Sequence, residues 1–300
     1  MARHPVLVSY AYMRLMRDED MARLFACPHI DWLIDSGGFS ALNAGHEITL
    51  DEYCAWLDKW KQHLHGYIAL DRVGDPVVTE RNLREMIARG LRPVPVHVWG
   101  DNEARMDELF GLSDWVALGG LRRPHSTHSS KSYVIAKHRW AKGRRVHWLG
   151  YTNGSMVRAL RPYSCDSSNV VSGYRYGRLA VYHGDCRTWT EHSSLGTTRD
   201  IPFTTAELRW INRMGFHATE LANPTARRRG SANNDPGLRR GMNNANKLGA
   251  ITLNSFVRYS RDMLLRYGVR VFNAVTNVDI EALVAEIERE ELRCSKEAST

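Results

Sequence analysis

No run of apolar residues in the chain of 300 approaches the roughly 20 needed to cross a bilayer. The opening "MARHPVLVSYAYMRLMRDED" is interrupted by charge and lacks the pattern of a cleavable signal. Cysteine is sparse: Cys27, Cys54, Cys165, Cys186 and Cys294 form an odd, scattered set with no CxxC pair, which argues against a disulfide framework and a zinc ribbon. The expectation is a cytoplasmic protein with reduced thiols and no membrane partner. Internal repeats and long low-complexity tracts are absent as well.

What is present is positive charge. The formal net charge is +8 and the isoelectric point is near 9.4, while a hydrophobic content of 43% is ordinary for a packed core. A basic surface attracts polyanions. The charge concentrates in "RWAKGRR" (Arg139 to Arg145) and in "ARRRGSANNDPGLRRGMNNANK" (Ala226 to Lys247), where Asn, Gly and Ser accompany it. Arg227, Arg228, Arg229, Arg239, Arg240 and Lys247 are therefore candidates for phosphate contacts. A solvated charged face has the same composition.

Up to about residue 180, short β-like runs alternate with helical patterns, the order of βα units around a parallel sheet. The runs are "VLVSYAY", "WLIDSGGF", "GYIALDRV", "VPVHVWG", "WVALGGL", "RVHWLGY", "YSCDSS" and "RLAVYH". Between the second and third, "TLDEYCAWLDKWKQHL" predicts a helix with Thr49 and Glu52 as a capping box and Tyr53, Trp56, Leu57 and Trp60 on one face. An unbroken series of this length fits a (β/α)8 barrel of the TIM type better than a doubly wound sheet. Residues 1–187 form the main part of that barrel, 188–247 a basic, Asn- and Gly-rich insertion or appendage, and 248–300 C-terminal helices completing it.

The polar residues favour the barrel. Asp35, Asp71, His97, Gly119, Gly120, Gly150 and Asp166 all fall at or just after the C-terminal end of an expected strand. In a barrel those ends share one mouth, where active sites are built. Asp35 in "WLIDSGGFSAL" also reads as a turn residue ahead of Gly37 and Gly38, and Asp75 in "GDP" reads as a turn. Paired carboxylates at one mouth are the equipment for cleaving a glycosidic bond, one attacking or stabilising the sugar centre while the other handles protons.

Together, "DSGGFSA", "IALDRVGDP", "VALGGLRR", "VHWLGYTNG" and "YSCDSS" resemble, in order and rough spacing, the tRNA-guanine transglycosylase superfamily. The chain looks most like the DpdA-type DNA-guanine transglycosylases of bacteriophages and bacterial DNA-modification clusters. The resemblance spans roughly Val6 to Leu179, with a looser echo in "KLGAITLNSFVRYSRDML". It implies exchange of guanine in DNA for a 7-deazaguanine such as preQ0, through a covalent glycosyl-aspartate, with no cofactor required. Asp166 matches the nucleophile. Asp35, with Ser36, Gly37 and Gly38 beside it, matches the aspartate that contacts the base and transfers protons. Asp71 matches the aspartate that reads the guanine edge, and Gly119, Gly120, Leu121 and Gly150 line the base pocket.

Chemistry agrees with those roles. A carboxylate can accept from both N1–H and the N2 amino group of a guanine-like ring, a pattern adenine lacks. Glycines let a flat ring lie against main chain. A two-step displacement retains configuration and consumes no water. The target base must be flipped out or already unpaired, and Trp189, Trp210 or Phe216 could stack or wedge, although each equally suits a core.

The chain also departs from the pattern. The CxCxxC cluster of the tRNA enzymes is missing; His183, Cys186 and His192 could form a partial zinc site, or be structural. His97 stands where the tRNA enzymes carry a glutamine at the base, as a pocket residue or a core histidine. The alternatives are the same exchange on tRNA, against which the short chain counts, and a non-catalytic nucleic-acid-binding barrel. DNA, a deazaguanine base and a second copy in a homodimer are the expected partners, with host cytoplasm as the location for a phage-encoded chain.

Overall fold

The computed structural model describes residues 3–38, 47–72, 74–121, 127–173, 179–192, 201–222 and 244–297. They fall into two compact units: Met1–Ser167 with Met263–Ile280, and Ser168–Asp262 with Glu281–Thr300. The Arg227, Arg228, Arg229, Arg239 and Arg240 of the expected nucleic-acid patch lie outside the described residues.

In the first unit the strands are β1 (His4–Ser9), β2 (Ile30–Asp35), β3 (Gly66–Tyr67), β4 (Val96–His97), β5 (Trp115–Leu118), β6 (Arg145–Trp148) and β7 (Ser164–Ser167). Helices α1 (Tyr10–Met13), α2 (Asp18–Phe25), α3 (Leu50–Trp60), α4 (Pro76–Ala88), α5 (Glu103–Leu112), α6 (Thr127–Trp140) and α7 (Gly154–Leu160) alternate with them. In α3 the expected capping box is present: Glu52 N–H donates to Thr49 Oγ1 at 3.2 Å and Thr49 N–H to Glu52 Oε2 at 3.2 Å. Its Tyr53, Leu57 and Trp60 are buried.

These strands and β10 (Arg270–Val275) form one eight-stranded sheet, parallel throughout, in the order β3-β2-β1-β10-β7-β6-β5-β4. Its inner face carries Leu7, Leu33, Ile68, Val94, Val96, Trp115, Ala117 and Phe272 in one apolar cluster. Alternate residues Val6, Val8, Ile34, Val116 and Val146 are buried too, so both faces are covered, as parallel sheets require. The sheet curls, but its ladder is not continuous around a ring. Between β3 and β4 stands one isolated parallel bridge, Ile68 to Val94. There Val94 N–H donates to Tyr67 O at 2.8 Å and Ala69 N–H to Val94 O at 2.9 Å.

One expected strand belongs elsewhere. "RLAVYH" supplies β8 (Leu179–Tyr182), which pairs antiparallel with β9 (Trp189–His192) in the second unit. The place it was expected to take is filled by β10, in register with β1 and β7. The sheet segment thus stops at Ser167 rather than 187, and the chain returns to it after an excursion.

The second unit contains α8 (Thr205–Arg213), α9 (Ala218–Ala222), most of α10 (Asn244–Tyr267) and α11 (Ile280–Glu297). Strand β8 borrows acceptors from a helix: Ala180 N–H donates to Thr252 Oγ1 at 3.1 Å and Tyr182 N–H to Ser255 Oγ at 3.2 Å. That satisfies amides the hairpin leaves open. Leu179, Val181, Ile211, Phe216, Leu248 and Ile251 make its core. Phe216 is core, Trp189 packs on Tyr182, Phe256 and Tyr259, and Trp210 lies under the Arg258 guanidinium. Lys247 is 2% exposed, so it is not a surface contact for a polyanion.

Candidate active site

Side chains alternate along a strand, so Asp35 shares the inner face with Leu33, and Asp166 shares it with Ser164. Asp71 follows β3, in a segment pinned to α4: Asn82 Nδ2 donates to Leu70 O at 3.1 Å and Arg72 N–H to Thr79 Oγ1 at 2.9 Å. The three carboxylates come from separate strand ends and are near enough to act on one another. Burial, then the charges of Asp71 and Asp166, push the Asp35 carboxyl up to about 7, against the opposing Gly37 N–H, which donates to Asp35 Oδ2 at 3.0 Å. Burial raises Asp71 as well, offset by the Ser36 hydroxyl, which donates to Asp71 Oδ1 at 2.8 Å. Both aspartates are crowded by protein yet keep partial exposure, as groups at the open end of a curled sheet do.

Asp166 has a different environment. Its Oδ1 accepts from Gly150 N–H at 2.6 Å and lies 3.2 Å from His147 Nε2. His147 Nδ1 is in turn 2.8 Å from Ser164 Oγ. With the hydroxyl donating to Nδ1, the proton sits on Nε2 and points at the carboxylate. Both contacts engage Oδ1, and among the described residues no hydrogen bond reaches Oδ2, the oxygen available to a reacting atom.

His147 and Ser164 escaped the sequence reading because a histidine inside "RVHW" looks like core. The available signal was parity, since His147 stands two residues before Leu149, which packs against the inner cluster. Tyr53 also belongs to this neighbourhood. Its hydroxyl donates to Ile68 O at 2.8 Å, and burial, then Asp35 among nearby charges, holds it well above the usual phenol range.

Four of the five glycines expected at the site are crowded by protein. A Cβ on Gly37, whose φ is +80°, would stand 2.8 Å from both Ala11 Cβ and Ser9 Oγ; one on Gly38 would stand 2.5 Å from the Asp71 carbonyl oxygen. Their missing side chains make room for neighbouring protein, which brings Asp35 and Asp71 together. Gly119 and Gly120 are likewise crowded, by Val96 and Trp99. Gly150, the fifth, faces open space, with φ +63° aiming its N–H at Asp166.

Several expected site residues are not brought here. His97 is adjacent in sequence to the inner-facing Val96, and alternation turns it outward. Its Nε2 donates to Asn102 O at 3.0 Å and its Nδ1 accepts from Lys137 Nζ at 3.2 Å, beside the Trp140 ring. It is a buried histidine of the helix layer. Leu121 is 1% exposed and belongs to the core. Asp75 caps α4, accepting from Val78 N–H at 2.9 Å.

The suggested metal residues separate too. Tyr182 OH accepts from Cys186 N–H at 2.8 Å and donates to Asp262 Oδ2 at 2.6 Å, whereas His183 and His192 each approach Glu207 Oε1 at 3.7 Å. Among the described residues no group of three or more His, Cys, Asp or Glu is arranged to hold a metal. No protein-family model, no curated protein and no solved structure matches the chain.

Proposed function

We propose that the chain is a base-exchange transglycosylase on a (β/α)8 barrel, replacing guanine in DNA by a 7-deazaguanine such as preQ0. The observation that carries the reading is the meeting of Asp35, Asp71 and Asp166 from separate strand ends, with Asp35 pushed up to about 7 and Asp166 held by Gly150 and His147. The choice of guanine and of DNA rests on the resemblance of the "DSGG", "LGG", "LGY" and "SCDSS" segments.

In the proposed reaction Asp166 Oδ2 attacks C1′ of the deoxyribose and the C1′–N9 bond breaks, its electron pair leaving with guanine. Protonated Asp35 supplies the proton that makes the departing base neutral. A carboxyl near 7 populates both forms at neutral pH, so the resulting carboxylate then takes the N9 proton of the incoming deazaguanine. N9 attacks C1′, the ester to Asp166 breaks, and the enzyme is restored. Asp71 accepts from the N1–H and N2 edge, while Ser36 fixes its orientation.

The test is incubation with DNA or tRNA labelled in guanine, with and without preQ0, following label release and the modified nucleoside. Release from DNA that requires preQ0, and its loss in Asp166→Ala, is the expected result. Release from tRNA alone, or full activity in Asp166→Ala, overturns the reading.

A further inference from the structure

At the opposite ends of the same strands lies a second cluster of charge. Arg3 precedes β1, Asp31 lies near the start of β2, His65 precedes β3, Tyr163 precedes β7, and Arg145 and Arg270 open β6 and β10. All belong to the first unit. Arg145 and Arg270 both lie over the Tyr163 ring, at 5.0 and 4.8 Å from its centroid. The Arg270 N–H donates to Tyr163 O at 3.2 Å, and the Tyr163 hydroxyl is 3.2 Å from His65 Nε2. Stacking of this kind preorganises guanidinium groups and leaves their N–H edges free to meet an oxyanion.

The acidic partners do not satisfy these cations. Arg3 Nη1, His65 Nδ1 and Arg270 Nε approach Asp31 only to 3.8, 3.9 and 3.9 Å, beyond hydrogen-bond distance. Arg270 Nε is buried and has no hydrogen-bond partner among the described residues. Arg145 pairs with Asp114 at 3.0 Å, but both side chains are exposed to water, where such a pair contributes little. Burial disfavours the His65 imidazolium; Asp31 opposes this, and Arg270, Arg145 and Arg3 reinforce it, a sign that positive potential converges here.

We propose that this cluster binds a phosphate group, its oxygens meeting the guanidinium edges of Arg3, Arg145 and Arg270, with Asp31 behind Arg3 and Arg270 and the Tyr163 ring under Arg145 and Arg270. The phosphate belongs either to a small phosphorylated molecule or to a nucleic-acid backbone. Neither source requires the carboxylate site, so the inference stands apart from the proposed exchange reaction.

The test is binding to the full chain of two probes, inorganic phosphate and a short single-stranded DNA, at fixed ionic strength. Phosphate is followed by thermal shift and 31P line broadening, the oligonucleotide by fluorescence anisotropy. Phosphate at about 10 mM should raise the melting temperature beyond a chloride control, and Arg145→Gln and Arg270→Gln should each weaken binding about tenfold or more. The Arg145 side chain is 56% exposed, so Arg145→Gln carries the test should Arg270→Gln fail to fold. Loss of phosphate binding with DNA binding intact assigns a small phosphorylated ligand; loss of both assigns the backbone. Binding of both probes that is indifferent to Arg145 and Arg270, or no phosphate binding, overturns the site.

Discussion

The Gly150 N–H donates to Asp166 Oδ1 at 2.6 Å, so the turn that ends β6 orients the carboxylate on β7. A Cβ on Gly150 would enter open space, and only its φ of +63° resists substitution. Gly150→Ala should therefore cost about 1–2 kcal/mol of stability while lowering kcat about tenfold by tilting the amide. Gly37→Ala, strained in φ and also crowded by Ser9 and Ala11, should be the more destabilising. Urea unfolding of both variants beside exchange rates checks the contrast.

In the proposed reaction His147 is a positioning residue, since it meets Asp166 through Oδ1 and leaves Oδ2 to the sugar. His147→Gln should reduce kcat by about 10- to 100-fold, the range seen when a supporting partner of a reactive group is removed, with KM for DNA little changed. An equal loss in kcat and rise in KM would assign it to substrate binding instead.

The Asp35 carboxyl, pushed up to about 7, gives stability a pH dependence of known sign. Its folded-state value lies above the unfolded one of about 3.9, so the folded protein holds this proton more tightly. That contribution is full below about pH 4 and is lost as pH rises through about 7. Asp35→Asn should be more stable than the parent at pH 8 by about 1–2 kcal/mol, allowing for solvent at the mouth, and gain nothing at pH 4. If the proposed exchange occurs, the parent's rate should peak near neutrality and the variant should lose that peak. Thermal melts and a pH–rate profile read both effects.

Lys137 works in the opposite direction. Burial pushes its ammonium down to about 8, where it donates to Asp101 O and faces His97. A base whose folded value lies below its unfolded one of about 10.4 adds stability as pH rises from about 8 towards 10. Lys137→Met should flatten that rise in melts taken across the range. His97→Asn, in the same helix layer, should lower stability by about 1–2 kcal/mol and leave KM for the incoming base unchanged.

The three aspartates were legible because a carboxylate closing an apolar run is costly without a reason, and each run's end is marked by turn chemistry. His147 was hidden, since one histidine in "RVHW" looks the same whether it faces a carboxylate or a helix. His97 misled for that reason: strand-end position was read correctly, but the period of two puts Val96, not His97, on the inner face. Strand β10 escaped because pairing with β1 is a long-range event that nothing in "RVFNAV" announces, whereas "RLAVYH" offered a local pattern at the expected place. The glycine pair of "DSGGF" was recognised as significant, yet the neighbours it accommodates, Ser9 of β1, Ala11 of α1 and the Asp71 backbone after β3, are remote in sequence from it.

The lone bridge between Ile68 and Val94 gives the curled sheet a clasp, fastened by two hydrogen bonds where neighbouring strands have a ladder. A curled sheet with one such bridge concentrates its compliance there. Asp71 is three residues beyond Ile68, so loosening of the clasp would move this carboxylate relative to Asp35 and Asp166, which are paired in register with Ser9 of β1 and Phe272 of β10. The Ala69 and Val94 amides are thus the gauges of the site's looseness, and their hydrogen exchange should run ahead of that of Val8 and Phe272.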